Sequence, residues 1–243
     1  MQIEVSSYAK INSFLNVLGK RADGYHEIYT HFQLLDLKDA LFFSTSSQNQ
    51  AFCDGITPEE NIILKSIKWF NNKFGKSQHF SVTVEKNIPM GAGLGGGSSN
   101  AAATLCFLCD YHGIERRLLD FHEISFQLGA DIPIFIFGKS AFASGIGEKI
   151  EEESSDKSSY ILISPDINIS TKLLFSSKDL ILCDEIDFEL NSFLEPLIKC
   201  SSEFNDFYNS FREFLNEEEF NKLQLTGTYC LLHKLIYLFL DID

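Results

Sequence analysis

Five glycines fall within seven positions, Gly91, Gly93, Gly95, Gly96 and Gly97, and Ser98 and Ser99 follow at once. Without a Cβ, such a backbone adopts positive φ and approaches a ligand closely. The serines add hydroxyl donors. Ahead of the loop, the alternation Phe80-Ser81-Val82-Thr83-Val84-Glu85 predicts a half-buried strand. Behind it, the alanine-rich residues 100–111 predict a helix whose N-terminus carries free N–H groups and the positive dipole end. Strand, glycine loop and helix start together predict a phosphate cradle from Pro89 to Asn100. A P-loop is excluded, because the loop contains no lysine. Gly91, Gly93 and Gly96 match the dinucleotide spacing, but a βαβ setting and a well-placed acid about twenty residues on are not evident.

Three smaller constellations could complete such a site. Lys10 and Asn12 stand two apart, so on a strand they face the same side and present an ammonium and an amide to one ligand. The competing reading is a solvated strand-end charge. Asp131 follows Gly129 and precedes the apolar run 134–137. A partly desolvated carboxylate there suits proton abstraction, and the plainer alternative is a turn cap. Asp23-Gly24-Tyr25-His26 is a turn whose aromatic and imidazole could stack on and hydrogen-bond a base, or simply close a hairpin. Cys106 and Cys109 read as core thiols, since no second Cys/His pair matches their spacing, and the histidines form no metal triad by sequence. No protein metal site is expected.

The elements that must position these residues follow from the apolar pattern. Strands are expected at 2–8, 14–19, 30–37, 40–44, 80–85 and 160–163. Helices are expected at 59–74, 100–111, 118–128 and 189–215, with strand and turn over 135–145. Strands and helices mix without regular alternation, which predicts an α+β protein. The polar stretch 151–159 predicts a boundary between domains at 1–150 and 151–243. A net charge of −14 argues against a general nucleic-acid binder, which needs a basic stripe. Scattered cysteines read as free thiols of a reducing compartment. The first residues lack signal-peptide features and no uncharged run approaches the roughly 18 residues of a membrane span. The expectation is therefore a cytoplasmic protein with small-molecule partners and neither nucleic acid nor membrane.

Taken together, Ala9-Lys10-Ile11-Asn12, the segments 18–27, 32–37 and 88–105, Leu128-Gly129-Ala130-Asp131-Ile132-Pro133 and Gly145-Ile146-Gly147-Glu148 resemble the 4-diphosphocytidyl-2-C-methyl-D-erythritol kinase family of the GHMP kinases. The glycine loop alone points to the superfamily, and Arg21–Glu27 singles out this branch. The resemblance is dense over residues 3–148 and thinner beyond. It implies a two-domain GHMP kinase fold, with an N-terminal ribosomal-protein-S5-like domain and a C-terminal ferredoxin-like domain. It implies transfer of the γ-phosphoryl group of ATP, with Mg²⁺, to the 2-hydroxyl of the methylerythritol part of the substrate. Asp131 would take the hydroxyl proton, Lys10 would stabilise the charges, and Asn12 would orient the substrate. His26 would hydrogen-bond cytosine between Tyr25 and Phe175. Asn61 and Ile62, with Lys86 nearby, would hold adenine. Pro89, Gly91, Gly93, Leu94, Gly95, Gly96, Gly97, Ser98 and Ser99 would form the ATP loop. A monomer or homodimer is expected.

Two departures stand out. Tyr8 replaces the proline usual before Ala-Lys in the family. The family's third motif, Thr/Ser-Gly-Ser/Thr-Gly, begins at Leu225-Thr226-Gly227-Thr228 and breaks at Tyr229-Cys230. The C-terminal domain is therefore expected to be incomplete relative to the family. Two alternatives follow: a nucleotide-binding member without turnover, or a GHMP kinase for another small alcohol.

Overall fold

A computed structural model of the chain describes residues 2–153, 160–163, 167, 169–217, 220, 223–226 and 229–233. Two long strands organise it. β1 (Ile3–Lys20) and β2 (His26–Ser46) pair antiparallel over most of their length. Each merges two segments that the apolar pattern separates. The gaps between the expected strands, 9–13 and 38–39, contain the buried polar residues Lys10, Asn12 and Asp39 inside continuous strands, and the pairing register slips between Tyr8 and Lys10 and between Asn12 and Phe14. The turn between β1 and β2 places Gly24 at φ 90°. Arg21 holds it through Asp23 (2.9 Å) and Glu27 (3.1 Å).

With β3 (Gln50–Phe52), β4 (His79–Glu85), β5 (Ala141–Gly145) and β6 (Lys149–Glu152), these strands form a six-stranded sheet. Its order is β3-β4-β2-β5-β6, with β1 paired to β2. α1 (Ile62–Phe74), α2 (Gly96–His112), α3 (Phe121–Gln127) and α4 (Ile132–Phe137) share a core with β2 and β4. Phe43, Phe70 and Phe80 are fully buried there, and Phe43 stacks on Phe107 with centroids 4.0 Å apart. Each such ring contributes roughly 1.5–3 kcal/mol of burial. Asn61 begins α1 by accepting a hydrogen bond from the Ile63 N–H (2.9 Å), and Gly75 ends it at φ 63°.

Three helical expectations need correction. α2 starts at Gly96, four residues before Asn100, because helical φ suits Gly96 and Gly97 once Gly95 has made the turn. The 118–128 helix is shorter: Asp120 caps α3 through the Glu123 N–H (3.0 Å), after a 3₁₀ turn at Arg116–Leu118. Of the strand and turn expected over 135–145, residues 135–137 belong instead to a helix, α4, and the strand is confined to Ala141–Gly145. An unbroken apolar stretch has no period to separate the two states. Pro133 in the first turn and Gly138 at φ 75° decide for a helix.

Beyond the polar stretch, of which residues 154–159 lie outside the described residues, β7 (Tyr160–Ile163), β8 (Leu223–Thr226) and β9 (Tyr229–His233) form an antiparallel sheet in the order β7-β9-β8. α5 (Thr171–Phe175), α6 (Leu194–Cys200) and α7 (Ser202–Phe214) accompany it. The single helix expected over 189–215 is thus two, because Ser201 leaves the helical conformation and its hydroxyl caps α7 at the Phe204 N–H (3.1 Å). Leu15, Val17 and Ile28 of the long hairpin share a second core with Leu174, Phe193, Leu197, Phe204 and Leu225. Backbone bonds between Leu15 and Leu190 (3.1 Å) and between Ser192 and Leu15 (2.8 Å) cover the free edge of β1. The α+β class therefore holds.

Candidate active site

Between two register slips of β1, Lys10 and Asn12 point inward and are almost wholly buried. The Lys10 ammonium donates to Asn12 Oδ1 (2.7 Å), lies over the Phe32 ring (5.3 Å) and pairs with Asp131 Oδ2 at 3.3 Å. A buried ammonium needs such partners to offset lost hydration, so this lysine is no solvated strand-end charge. Asn12 is itself fixed. Its side-chain amide donates to Thr30 Oγ1 (2.7 Å), and its backbone N–H donates to Thr226 Oγ1 (2.8 Å). Asp131 stands at the N-cap of α4, yet its side chain makes no cap hydrogen bond there. About a third of it is exposed, and it lines the same cavity as Lys10.

The glycine loop runs beside this pair. Gly91, Gly93 and Gly95 take φ of 74°, 75° and 72°. Leu94 turns its side chain into a small core with Ala9, Ile11, Ile88 and Ala92, while its carbonyl accepts the Lys10 N–H (3.0 Å). That bond ties the loop to the strand that carries the ammonium. At Gly95 any Cβ would meet the Phe135 ring at 2.6 Å and Lys10 Cγ at 3.2 Å, so the approach demands glycine. Gly96, Gly97, Ser98 and Ser99 form the first turn of α2. Ser98 lines the cavity, whereas Ser99 is buried and its hydroxyl oxygen accepts from Ser7 Oγ (2.7 Å). Pro89 and Met90 are exposed at the entrance to the loop.

Behind α2 lies a polar network that sequence reasoning missed. Asp39 is fully buried and accepts from Lys86 Nζ, from Asn100 Nδ2 (2.9 Å) and from the backbone N–H groups of Asn87 (2.8 Å) and Ile88 (2.9 Å). Burial alone would raise its carboxyl, but the Ile88 N–H, Lys86, Asn100 and Asn87 outweigh it and hold the group below the usual carboxylate range. The signal was present: Asp39 shares the inward parity of Leu41 and Phe43 on β2. The network ties Lys86 to the start of α2. Thr30 and Thr226 were likewise missed, since hydroxyls that orient other side chains carry no motif of their own.

Two cavities border the loop and a third adjoins the first of them. One of about 460 Å³ holds Lys10, Asn12, Asp131, Ser98 and the loop glycines. A second, of about 220 Å³, is lined by Asn61, Ile62, Lys86, Gly91 and Gly97. A third, of about 790 Å³, is lined by Tyr25, His26 and Phe175 and shares Ile28, Ala130, Ile146, Thr171 and Phe175 with the first. His26 stacks on Phe175 with centroids 5.0 Å apart and planes 19° off parallel. Tyr25 instead meets Phe126 edge-on at 4.9 Å. Burial first, then the charge of Lys20, lowers the His26 pKa, so the ring is neutral at pH 7. Of the residues expected at the site, Lys10, Asn12, Asp131, Gly91, Gly93, Gly95, Gly97, Ser98, Asn61, Ile62, Lys86, Tyr25, His26 and Phe175 line these three cavities, whereas Leu94 and Ser99 are buried beside them and Pro89 and Gly96 line none of the three.

Comparison with known proteins supplies the family. Residues 61–139 match the model of the GHMP kinases N terminal domain. The chain is 42% identical over 230 residues to the 4-diphosphocytidyl-2-C-methyl-D-erythritol kinase of Francisella tularensis subsp. holarctica (strain FTNF002-00 / FTA), a match covering 91% of this chain and 83% of that protein. The chain belongs to the 4-diphosphocytidyl-2-C-methyl-D-erythritol kinase family. It is a small-molecule kinase with the GHMP fold. The enzyme of the same name from Acinetobacter baylyi (strain ATCC 33305 / BD413 / ADP1) is 40% identical over 239 residues, covering 93% and 84% of the two chains. The crystal structure of a 4-(cytidine 5'-diphospho)-2C-methyl-D-erythritol kinase superposes with a TM-score of 0.75 at 25% identity, covering 95% of this chain and 90% of that one. A mevalonate kinase structure shares the fold at a TM-score of 0.57 and 12% identity, covering 95% and 91%.

Proposed function

We propose that this protein transfers the γ-phosphoryl group of ATP to the 2-hydroxyl of 4-diphosphocytidyl-2-C-methyl-D-erythritol, within the methylerythritol phosphate route to isoprenoid precursors. The observation that carries the reading is the Lys10–Asp131 pair, 3.3 Å apart beside the glycine loop. Phosphoryl transfer needs little covalent help from a protein. Positioning and charge stabilisation supply most of the effect.

Each role follows from its place in the groove. Asp131 accepts the proton of the attacking hydroxyl. Lys10 pairs with that carboxylate and stabilises the developing alkoxide, and Asn12 orients the acceptor. The loop from Pro89 to Ser99 holds the phosphates by its N–H groups and the α2 dipole. Asn61 and Ile62, with Lys86 nearby, receive the adenine in the smaller cavity. Tyr25, His26 and Phe175 receive the cytosine, the imidazole by a hydrogen bond and the rings by stacking. Phe175 stacks on His26 and Tyr25 packs edge-on against Phe126, so a cytosine between Tyr25 and Phe175 requires both rings to leave those partners. Among the described residues no group of three or more His, Cys, Asp and Glu is placed to hold a metal. Mg²⁺ would come with the nucleotide, whose hard oxygen donors suit it, and Ser98 and Asp131 are among the residues whose side-chain oxygens line the cavity beside the loop. The ion would neutralise phosphate charge. No helix among the described residues is long and apolar enough to cross a membrane, and we place the enzyme in the cytoplasm as a monomer or homodimer.

The deciding experiment is ATP consumption dependent on the cytidine diphospho-methylerythritol substrate. Turnover with that substrate and not with mevalonate or homoserine supports the reading. A folded protein that neither turns over nor binds either ligand overturns it.

A further inference from the structure

The cavity of about 790 Å³ beside His26 is lined by basic side chains within an acidic molecule. The chain carries 34 acidic and 20 basic side chains. Yet Lys20, Lys172 and Lys178 all line this cavity, and no carboxylate does. They come from separate elements: Lys20 from the end of β1, Lys172 from α5 and Lys178 from the turn after it. All three are exposed, and none has a carboxylate partner within 4.0 Å among the described residues. Elsewhere Lys10, Lys73, Lys86, Lys139 and Lys199 are each paired with an acid, while Lys38, Lys65, Lys68, Lys76 and Lys149 have no acidic partner among the described residues, so what sets Lys20, Lys172 and Lys178 apart is the one cavity that they share. Lys20 sits directly across from His26 in the β1–β2 ladder, and its charge helps to lower that imidazole's pKa. Unpaired ammonium groups repel one another, so converging three on one concave surface costs stability unless an anion is received there.

We infer that Lys20, Lys172 and Lys178 form a cationic rim that recognises the diphosphate of the acceptor substrate. The inference rests on the proposed function, because it places the cytidine end by His26 and the hydroxyl end by Asp131. The diphosphate between them must then pass the shared wall of the two cavities at Thr171, the residue next to Lys172. Exposed charges at a mouth act mainly by steering, which speeds encounter and weakens as salt screens it. The rim also offers selectivity. In an otherwise acidic molecule it draws a diphosphate ester and gives no advantage to the uncharged nucleoside.

The test is a triple variant, Lys20→Gln, Lys172→Gln and Lys178→Gln. A charge-matched control carries Lys65→Gln, Lys68→Gln and Lys149→Gln, all exposed and none lining this cavity. We expect the rim variant to raise KM for the acceptor about tenfold, the lower end of electrostatic steering effects. Its KM for ATP and its kcat stay within about twofold, and the salt dependence of kcat/KM flattens. Unchanged acceptor KM and unchanged salt dependence, in an enzyme that turns over, overturn the rim and leave the proposed function standing. Binding decides the case independently of turnover. With saturating ADP present, calorimetry compares cytidine 5′-diphosphate with cytidine. The unmodified chain should prefer the diphosphate and the rim variant should lose that preference. Equal preference in both, or the same loss in the control, overturns the inference.

Discussion

The Lys10–Asp131 pair is where two polar groups are brought within 3.3 Å from positions 121 residues apart. Because Asp131 makes no cap bond to α4, its carboxylate is available for chemistry. Asp131→Asn should therefore lower kcat by about 10²–10⁴, the usual scale for loss of a general base. KM for ATP should change little, and thermal unfolding should show no loss of fold. Steady-state kinetics with calorimetry on the same preparation checks both parts. From their own surroundings in the sequence, Lys10 and Asp131 read as readily as a strand-end charge and a turn cap, and it was the family resemblance that singled out Lys10, Asn12 and Asp131. Asp39 was not read, although its parity with Leu41 and Phe43 marks it as inward-facing. A buried carboxylate is recognisable only through its partners, and Lys86, Asn87, Ile88 and Asn100 come from distant parts of the chain.

At the scale of elements, the loop and α2 work as one unit. Gly95 combines φ 72° with a Cβ direction blocked by Phe135 at 2.6 Å. Gly95→Ala should destabilise by about 1–3 kcal/mol, the cost of strained backbone, and should raise KM for ATP. Gly97→Ala is the contrast, since nothing lies within 4 Å of its Cβ direction and its φ is helical. That variant should unfold no earlier than the parent, because alanine gains up to about 1 kcal/mol over glycine in a helix. Its KM for ATP should still rise if phosphates approach the helix start. Thermal melts and ATP titrations of the two variants separate stability from binding. The cradle itself was legible because glycines and a helix signal are local. The start of α2 and the helical state of 132–137 were not, because glycine-rich and wholly apolar stretches carry no decisive period.

Over the whole molecule, the C-terminal part reaches back into the site. Thr226, first residue of the altered third motif, is buried and accepts the Asn12 N–H at 2.8 Å, while Gly227 and Thr228 lie outside the described residues. Thr226→Val keeps the shape and orphans that N–H, so it should cost about 1–3 kcal/mol. It should also lower kcat by loosening Asn12, which denaturant unfolding and kinetics on one variant will reveal. Stability should also depend on pH in two windows. Burial, the leading cause at each, lowers the pKa values of His26, His31 and His112 below 6.5. Between 6.5 and those folded values the unfolded chain binds more protons, so stability falls as pH drops through this window. Asp39 is held below 3.8, so its contribution is present above that value and lost as pH falls toward its folded pKa. Urea midpoints measured from pH 8 to pH 3 should decline in both windows, with Asp39→Asn removing the second.

By itself the sequence determined the kind of ligand and the kind of chemistry. A dense glycine loop before a helix can hold phosphate through local backbone geometry alone, and the flanking motifs carry the family. Only the tertiary structure decided which side chains meet. Burial of Lys10 and Asp39, the reach of Thr226 to Asn12, the stacking of His26 on Phe175 and the convergence of three unpaired lysines on one cavity depend on packing between remote segments. Hydrogen bonds and charges act over a few ångströms in space, and spacing along the chain does not measure that distance.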